Sequence, residues 1–129
     1  MNRDMRSELL AAACSPATQG EDGSVSQSFS LPETFIGFAG HFPDYPIVPA
    51  VTQLLAAQLL TEQIQGRPLT LCTVSHAKFL QQLLPQQTFT VTCRPKTGKP
   101  LCYDVRIHLD EELASSFRIN VSSSEEDHG

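Results

Sequence analysis

The chain has 129 residues, which fits one domain of ordinary size with a single hydrophobic core. Its 9 Lys and Arg residues against 14 Asp and Glu residues give a formal net charge of −5 at pH 7, which disfavours a surface that tracks nucleic-acid phosphates. No apolar run approaches the ~20 residues that span a membrane, so we expect a cytoplasmic protein that binds neither nucleic acid nor membrane.

Residues 1–24 are predicted to be an N-terminal tail. A short helix is expected through Leu9 and Leu10, and the Ser, Pro, Gly and acidic residues that follow favour a loop. The apolar run Leu9–Cys14 is short, and Asp4 and Glu8 interrupt the approach to it, so an export signal is not expected. From Val25 to Leu31 apolar side chains alternate with serines, which predicts a half-buried strand.

The segment 34–49 contains three prolines, two glycines and several aromatic residues. Such an irregular segment is too apolar for an exposed loop, so it is expected to pack over the domain. After Pro49 the composition changes to Ala, Leu and Gln, and one long helix is predicted from Ala50 to Gln65, with Gly66 at its end. Apolar residues cover most of its circumference, which predicts a largely buried helix.

Four strands are predicted after the helix, with one apolar and one polar face each and short turns between them. Their predicted bounds are Leu69–Leu80, Thr88–Arg94, Leu101–Leu109 and Ala114–Ser122. Short turns favour antiparallel neighbours, so the fold class is α+β, with an antiparallel sheet wrapped around one long central helix. This domain covers residues 25–122, and the acidic, serine-rich residues 123–129 are predicted to be a disordered tail.

A histidine lies in a proline-rich loop just before the helix. Within Phe38–Val51, Pro43, Pro46 and Pro49 limit the freedom of the backbone, so His41 can be held in one position. The first turn of the helix leaves backbone N–H groups without intrahelical acceptors, and these can polarise a carbonyl or hold an oxyanion. A base and an electrophilic site are therefore expected close together.

This segment resembles the G-H-F-P-x-x-P-x-x-P-G-V signature of the hotdog-fold beta-hydroxyacyl-ACP dehydratases. The later Ala77-Lys78-Phe79, followed by Leu84-Pro85, is similar to the second strand of that family. The resemblance implies a hotdog fold, the acid/base role for His41, and a thioester carbonyl bound by the backbone N–H of Ala50.

The reaction that the resemblance implies is the reversible dehydration of a (3R)-3-hydroxyacyl thioester in fatty-acid or polyene-type acyl-chain biosynthesis. We expect neither a cofactor nor a metal ion. The residues expected to contact the substrate beside Ala50 are Val51, Asp44, Leu55 and Gln58. Gln53 and Gln58 interrupt the apolar helix and are candidates to face either the acyl site or a dimer interface. The acyl carrier, ACP or coenzyme A, stays open.

The sequence departs from the family pattern at three positions. Asp44 and Ala50 replace glycines, and Leu55 stands fourteen residues after the histidine, where the family carries Glu or Asp. Leucine cannot transfer a proton. Glu62 lies on the same helix face but about 10 Å further along the axis, which makes it a poor substitute. Asp44 and Glu33 are nearer in sequence, with nothing to show that they point inward.

Two other functions are compatible with the residues. An acyl-thioesterase would need a base or carboxylate to direct water at the carbonyl, and a non-catalytic acyl-thioester-binding protein would use the loop and helix as a slot. A single hotdog domain would expose a long sheet edge, so we expect a homodimer in every case. Four basic residues are candidates for a patch that contacts an acidic carrier protein: Lys78, Arg94, Lys96 and Lys99.

Overall fold

The computed structural model describes residues 4–35 and 48–123, so His41, Asp44 and the predicted acidic tail beyond Ser123 lie outside the described residues. Over these ranges the chain forms two helices and six strands. Their bounds are α1 Met5–Ala11, β1 Thr18–Gln19, β2 Val25–Ser30, α2 Ala50–Gln65, β3 Leu69–Phe79, β4 Thr88–Lys96, β5 Lys99–Leu109 and β6 Glu112–Ser123. The strands form one antiparallel sheet in the order β1-β2-β4-β5-β6-β3.

Helix α2 begins and ends where the sequence predicts. Pro49 occupies the N-cap with an extended backbone (φ −66°, ψ 158°), a φ that its ring imposes. Gly66 ends the helix in the left-handed conformation (φ 70°), which costs glycine no Cβ clash, and its N–H donates to the Glu62 carbonyl at 2.8 Å. The predicted bounds of the long helix are therefore confirmed.

The face of α2 that packs on the sheet carries small and polar residues as well as leucines. Its buried residues are Thr52, Gln53, Ala56, Ala57, Leu59, Leu60 and Thr61. Small side chains permit a close approach to the sheet, and the Cys93 Sγ lies 3.7 Å from the Ala57 carbonyl oxygen. The expectation of a largely buried helix is wrong at its start, where Val51 is 61% exposed. The sheet and the short α1 cover only part of its circumference.

The sheet buries one face against α2. Alternate residues of the central strands are buried, among them Val91, Val105, Ile107 and Ile119. The rings of Phe29 and Phe89 stack with centroids 5.8 Å apart. Each large side chain buried in this way contributes about 1.5–3 kcal/mol. One long helix packed on an antiparallel sheet confirms the predicted α+β architecture.

Residues assigned to the N-terminal tail pack against this domain. Leu9 of α1 is fully buried in the core. The Cys14 N–H donates to the Ser28 carbonyl at 2.8 Å, and the Ser30 N–H donates to the Ala12 carbonyl at 3.1 Å, so this segment pairs with β2. Strand β1 then pairs Thr18–Gln19 with the beginning of β2. The N-terminal segment covers one edge of the sheet.

Strands β4, β5 and β6 extend further than the sequence predicts, and β3 ends one residue earlier. Strand β6 begins at Glu112 and includes Ser123, the first residue of the predicted tail. Cross-strand pairing explains the difference, because Ser123 lies opposite Leu69 of β3. Within residues 4–35 and 48–123, no helix is long and apolar enough to cross a membrane.

Candidate active site

The described candidates for the site all lie on α2. Ala50 and Val51 form its exposed first turn, and Leu55 is half-buried against the core one turn later. Gln58 lies eight residues after Ala50, about 12 Å along the axis. Its Nε2 donates to the Leu69 carbonyl at 2.8 Å, at the beginning of β3. The helix therefore groups Ala50, Val51 and Leu55, whereas Gln58 lies away from its start.

The beginning of α2 exposes Ala50 and Val51 and has no side-chain cap among the described residues. The N–H groups of Thr52 and Gln53 donate to the Pro49 carbonyl at 3.1 and 3.2 Å. The amides of Ala50 and Val51 come earlier in the turn, where a helix supplies no acceptor. Together with the helix dipole they favour a carbonyl oxygen or an anion at this end.

Gln53 holds this turn to the sheet. Its side chain is buried, its Nε2 donates to the Val48 carbonyl at 3.2 Å, and its Oε1 accepts from the Ser115 hydroxyl at 2.7 Å. The Val48 N–H in turn donates to the Leu83 carbonyl at 2.7 Å. The suggestion that Gln53 faces an acyl site or a dimer interface is wrong, because its amide lies in the core and is bonded on both sides. It fixes the chain directly after residues 36–47.

Helix α2 carries no ionisable side chain between Ala50 and Thr61, so Glu62 is its first carboxylate. Glu62 Oε1 accepts from Arg6 Nη1 of α1, and Oε2 accepts from the Leu69 N–H at 2.9 Å. Both oxygens thus bind structural partners. Glu62 joins α1, α2 and β3. Glu33, the nearer alternative, is exposed.

The strand at the other edge of the sheet exposes apolar side chains. Within the described residues β3 pairs with β6 alone. Val74 is 40% exposed, Phe79 is 48% exposed and Leu80, directly after the strand, is 59% exposed. Val74 lies opposite the buried Ile119, so it belongs to the face of the sheet that packs on α2. Exposed apolar side chains grouped on a free edge mark an interaction surface.

Comparison with known proteins shows that the chain is similar to dehydratases. Residues 17–118 match the ApeI-like family, described as ApeI dehydratase. A 3-hydroxyacyl-(acyl-carrier-protein) dehydratase, FabZ of Streptococcus pyogenes, is 30% identical over 88 residues, which are 61% of this chain and 63% of that protein. The FabZ protein of Polynucleobacter asymbioticus is 28% identical over 120 residues, 86% of this chain and 79% of that protein. The alignment with the streptococcal relative thus spans less than two thirds of that protein.

A solved structure shows the same fold. The chain resembles the dehydratase heterocomplex ApeI:P from Xenorhabdus doucetiae with a TM-score of 0.73 and 21% sequence identity, over 84% of this chain and 95% of that one. This similarity confirms the predicted hotdog architecture.

Proposed function

The chain belongs to the ApeI-like dehydratase family, and on that premise we propose that it dehydrates (3R)-3-hydroxyacyl thioesters. One observation carries the proposal: the uncapped first turn of α2 directly follows the segment with His41 that resembles the dehydratase signature. A thioester carbonyl bound at the amides of Ala50 and Val51 would lie next to the end of that segment. The FabZ relatives act on acyl groups of an acyl carrier protein, which is the carrier that we propose here.

In the proposed reaction His41 removes a proton from C2 of the acyl chain. The C2–C3 double bond forms, the C3–O bond breaks, and the leaving hydroxide takes up a proton and departs as water. Negative charge develops on the thioester oxygen as the C2 proton leaves. The amides of Ala50 and Val51 stabilise that charge through hydrogen bonds and the helix dipole. Gln53 supports both parts, since it holds Val48 and this turn to β6.

The mechanism also needs a group that supplies a proton to the leaving hydroxide. Leu55 occupies the position at which the dehydratase signature carries a carboxylate, and a positioned general acid typically contributes 10²- to 10⁴-fold to the rate. In this chain His41 must return the proton itself, or a water molecule must deliver it. We therefore propose a slow dehydratase. Asp44 and Gln58 stay proposed substrate contacts.

We also propose that the chain is a homodimer that pairs through β3. A partner at this edge would cover Val74 and Phe79 and satisfy the free backbone groups of the strand. The structural relative named as an ApeI:P heterocomplex makes a related chain the other candidate partner. Such a chain could supply the carboxylate that Leu55 does not.

The test compares four proteins: wild type, His41→Ala, Leu55→Glu and Leu54→Glu. Leu54 is the matched control, because it is a half-buried leucine next to Leu55 on the same helix. Each protein receives a 3-hydroxyacyl thioester, and formation of the 2-enoyl thioester is followed at saturating substrate, with folding checked by thermal melting.

Leu55→Glu is expected to raise turnover about tenfold or more, since general acids contribute at least that much. Leu54→Glu should not raise turnover, and His41→Ala should abolish it in every background. Strong wild-type turnover that survives His41→Ala contradicts the mechanism. Release of free thiol without enoyl formation identifies the thioesterase instead. Retained thioester binding without turnover in any variant identifies the non-catalytic alternative.

A further inference from the structure

Three arginines share the outer face of the sheet, the face turned away from α2. Arg94 lies on β4, Arg106 on β5 and Arg118 on β6, and the residues on either side of each in sequence point to the opposite face. They line one groove of about 460 Å³, which we call the arginine groove. Ligand pockets commonly have volumes of ~300–1,000 Å³, so the arginine groove has the size of a small-molecule site.

Two of the arginines have acidic neighbours. The Arg118 Nε donates to Asp104 Oδ1 at 2.8 Å, and Arg94 Nε lies 3.4 Å from Asp22 Oδ2. Asp104 is also the backbone cross-strand neighbour of Arg94 on β4. These pairs hold the outer arginines at the walls of the groove.

Arg106 has a different environment. Its cross-strand partners are Thr92 on β4 and Ser116 on β6, which carry hydroxyls and no charge. Arg106 is exposed and forms no ion pair with any residue in the ranges 4–35 and 48–123. The Thr92 hydroxyl is hydrogen-bonded to the Ser26 hydroxyl at 2.8 Å. The Arg106 guanidinium group and the Ser116 hydroxyl are the donors that suit the oxygens of a phosphate group.

The charges of the groove favour an anion even though the chain is acidic. Its three arginines and two aspartates sum to 3 − 2 = +1, whereas the formal net charge of the chain is −5. The positive charge is therefore local. A ligand anion can bind Arg106 without first breaking an ion pair. Binding to Arg94 or Arg118 would instead compete with the ion pairs that these residues form.

We propose that the arginine groove binds a small phosphate-bearing molecule, with Arg106 as the primary contact and Ser116 as a further donor. The site lies on the opposite face of the sheet from α2, and it goes beyond the proposed dehydratase function. Arg94 and Arg118 line the groove and attract an anion at long range. Asp22 and Asp104 lower the positive charge of the site, which limits the negative charge of a ligand that can bind there. A phosphate monoester fits this balance better than a polyanion.

Isothermal titration calorimetry with inorganic phosphate, adenosine monophosphate and adenosine tests the site at constant ionic strength. The proteins are wild type, Arg106→Ala, Arg106→Lys and Lys99→Ala. Lys99 is the control, because it is exposed at the β4–β5 turn, outside the arginine groove, and its removal changes the net charge equally. Thermal melting without ligand checks that each variant folds.

Saturable binding of phosphate and of adenosine monophosphate is expected, with no binding of adenosine. Arg106→Ala should weaken the phosphate ligands about 10- to 100-fold, because it removes charge-assisted hydrogen bonds. The affinity of Arg106→Lys for the phosphate ligands should lie between those of wild type and Arg106→Ala. Lys99→Ala should bind them as tightly as wild type. If Arg106→Ala and Lys99→Ala weaken phosphate binding equally, the effect comes from net charge alone, and the proposal is overturned. So would the absence of saturable binding at ~10 mM phosphate ligand.

Discussion

The two edges of the sheet are built in opposite ways. On one side β2 is covered by the chain's own N-terminal segment, and the sheet finishes in β1, a strand of only 2 residues. On the other side it finishes in β3, a strand of 11 residues with exposed Val74 and Phe79. Short or covered edges prevent pairing with another chain, and long apolar edges permit it. Within the described residues, one edge is therefore covered by the chain itself, and the other edge has no pairing strand.

Removing the anchor of the closed edge should have the largest effect. Leu9 is fully buried, so Leu9→Ala leaves a cavity and is expected to lower the free energy of unfolding by about 2–5 kcal/mol. The neighbouring Leu10 is 49% exposed, and Leu10→Ala should change it by less than about 0.5 kcal/mol. Urea unfolding at one protein concentration measures both, because the stability of a dimer depends on concentration. Equal effects would mean that the N-terminal segment is not part of the folded core.

The open edge should instead respond through association. If β3 pairs two chains, Phe79→Asp places a charge in the interface and should raise the dissociation constant at least ~30-fold, the scale of a binding hot spot. Leu10→Asp is the matched control, because Leu10 is exposed to nearly the same fraction as Phe79, 49% against 48%, and lies on α1. Sedimentation velocity over a range of concentrations gives both constants. A dimer that tolerates Phe79→Asp would have to use another surface.

The two edges also show which parts of the fold the sequence could predict. The bounds of α2 and the positions of the later strands were predictable, because hydrophobic period, Pro49 and Gly66 are local signals. Some ends of those strands differ from the predicted ones by one or two residues. A short helix through Leu9 and Leu10 was predictable, but the role of residues 5–19 was not, because two adjacent leucines and a two-residue strand carry no period. What defines that segment is contact with β2 and α2, far along the chain. Burial of Leu9 is visible only once those partners are in place.

Of the candidate site, only the residues on α2 lie within the described part of the chain. The exposed, uncapped start of α2 follows from Pro49 and the composition of the helix, which local rules describe. Gln53 was misjudged, because its partner Ser115 lies 62 residues away. A glutamine in an apolar helix signals either a site or a buried hydrogen bond, and only the position of β6 decides between them. His41 and Asp44 lie outside the described residues and stay predictions.

Glu62 connects the two regions, and its removal should have an intermediate effect. Glu62→Ala leaves the Leu69 N–H without its acceptor and Arg6 without its ion pair, and should lower the free energy of unfolding by about 1–3 kcal/mol. Arg6→Ala breaks only the ion pair, and the Arg6 side chain is 41% exposed, so a loss below about 1 kcal/mol is expected. Urea unfolding measures both variants. Similar losses would show that the ion pair, and not the link to β3, carries the effect.

Each edge also carries an exposed thiol, so the two edges can be compared by chemical modification without unfolding the protein. Cys14 lies in the segment that covers β2, and Cys72 lies at an irregular position of β3. Cys93 and Cys102 are buried, and burial raises the pKa of the Cys93 thiol, so it holds no reactive thiolate at neutral pH. A disulfide reagent should therefore modify Cys14 and Cys72 in the folded protein and all four cysteines after denaturation.

Protein concentration should then separate the two exposed thiols. A partner on β3 would shield Cys72 and lower its reaction rate, by about tenfold when 90% of the chains are paired, because only unpaired chains would react. Cys14 belongs to the closed edge, so its rate should not change. The variants Cys14→Ser and Cys72→Ser assign each rate. If the Cys72 rate stays constant while light scattering reports dimers, the partner leaves this part of β3 free, and pairing must lie nearer to Phe79.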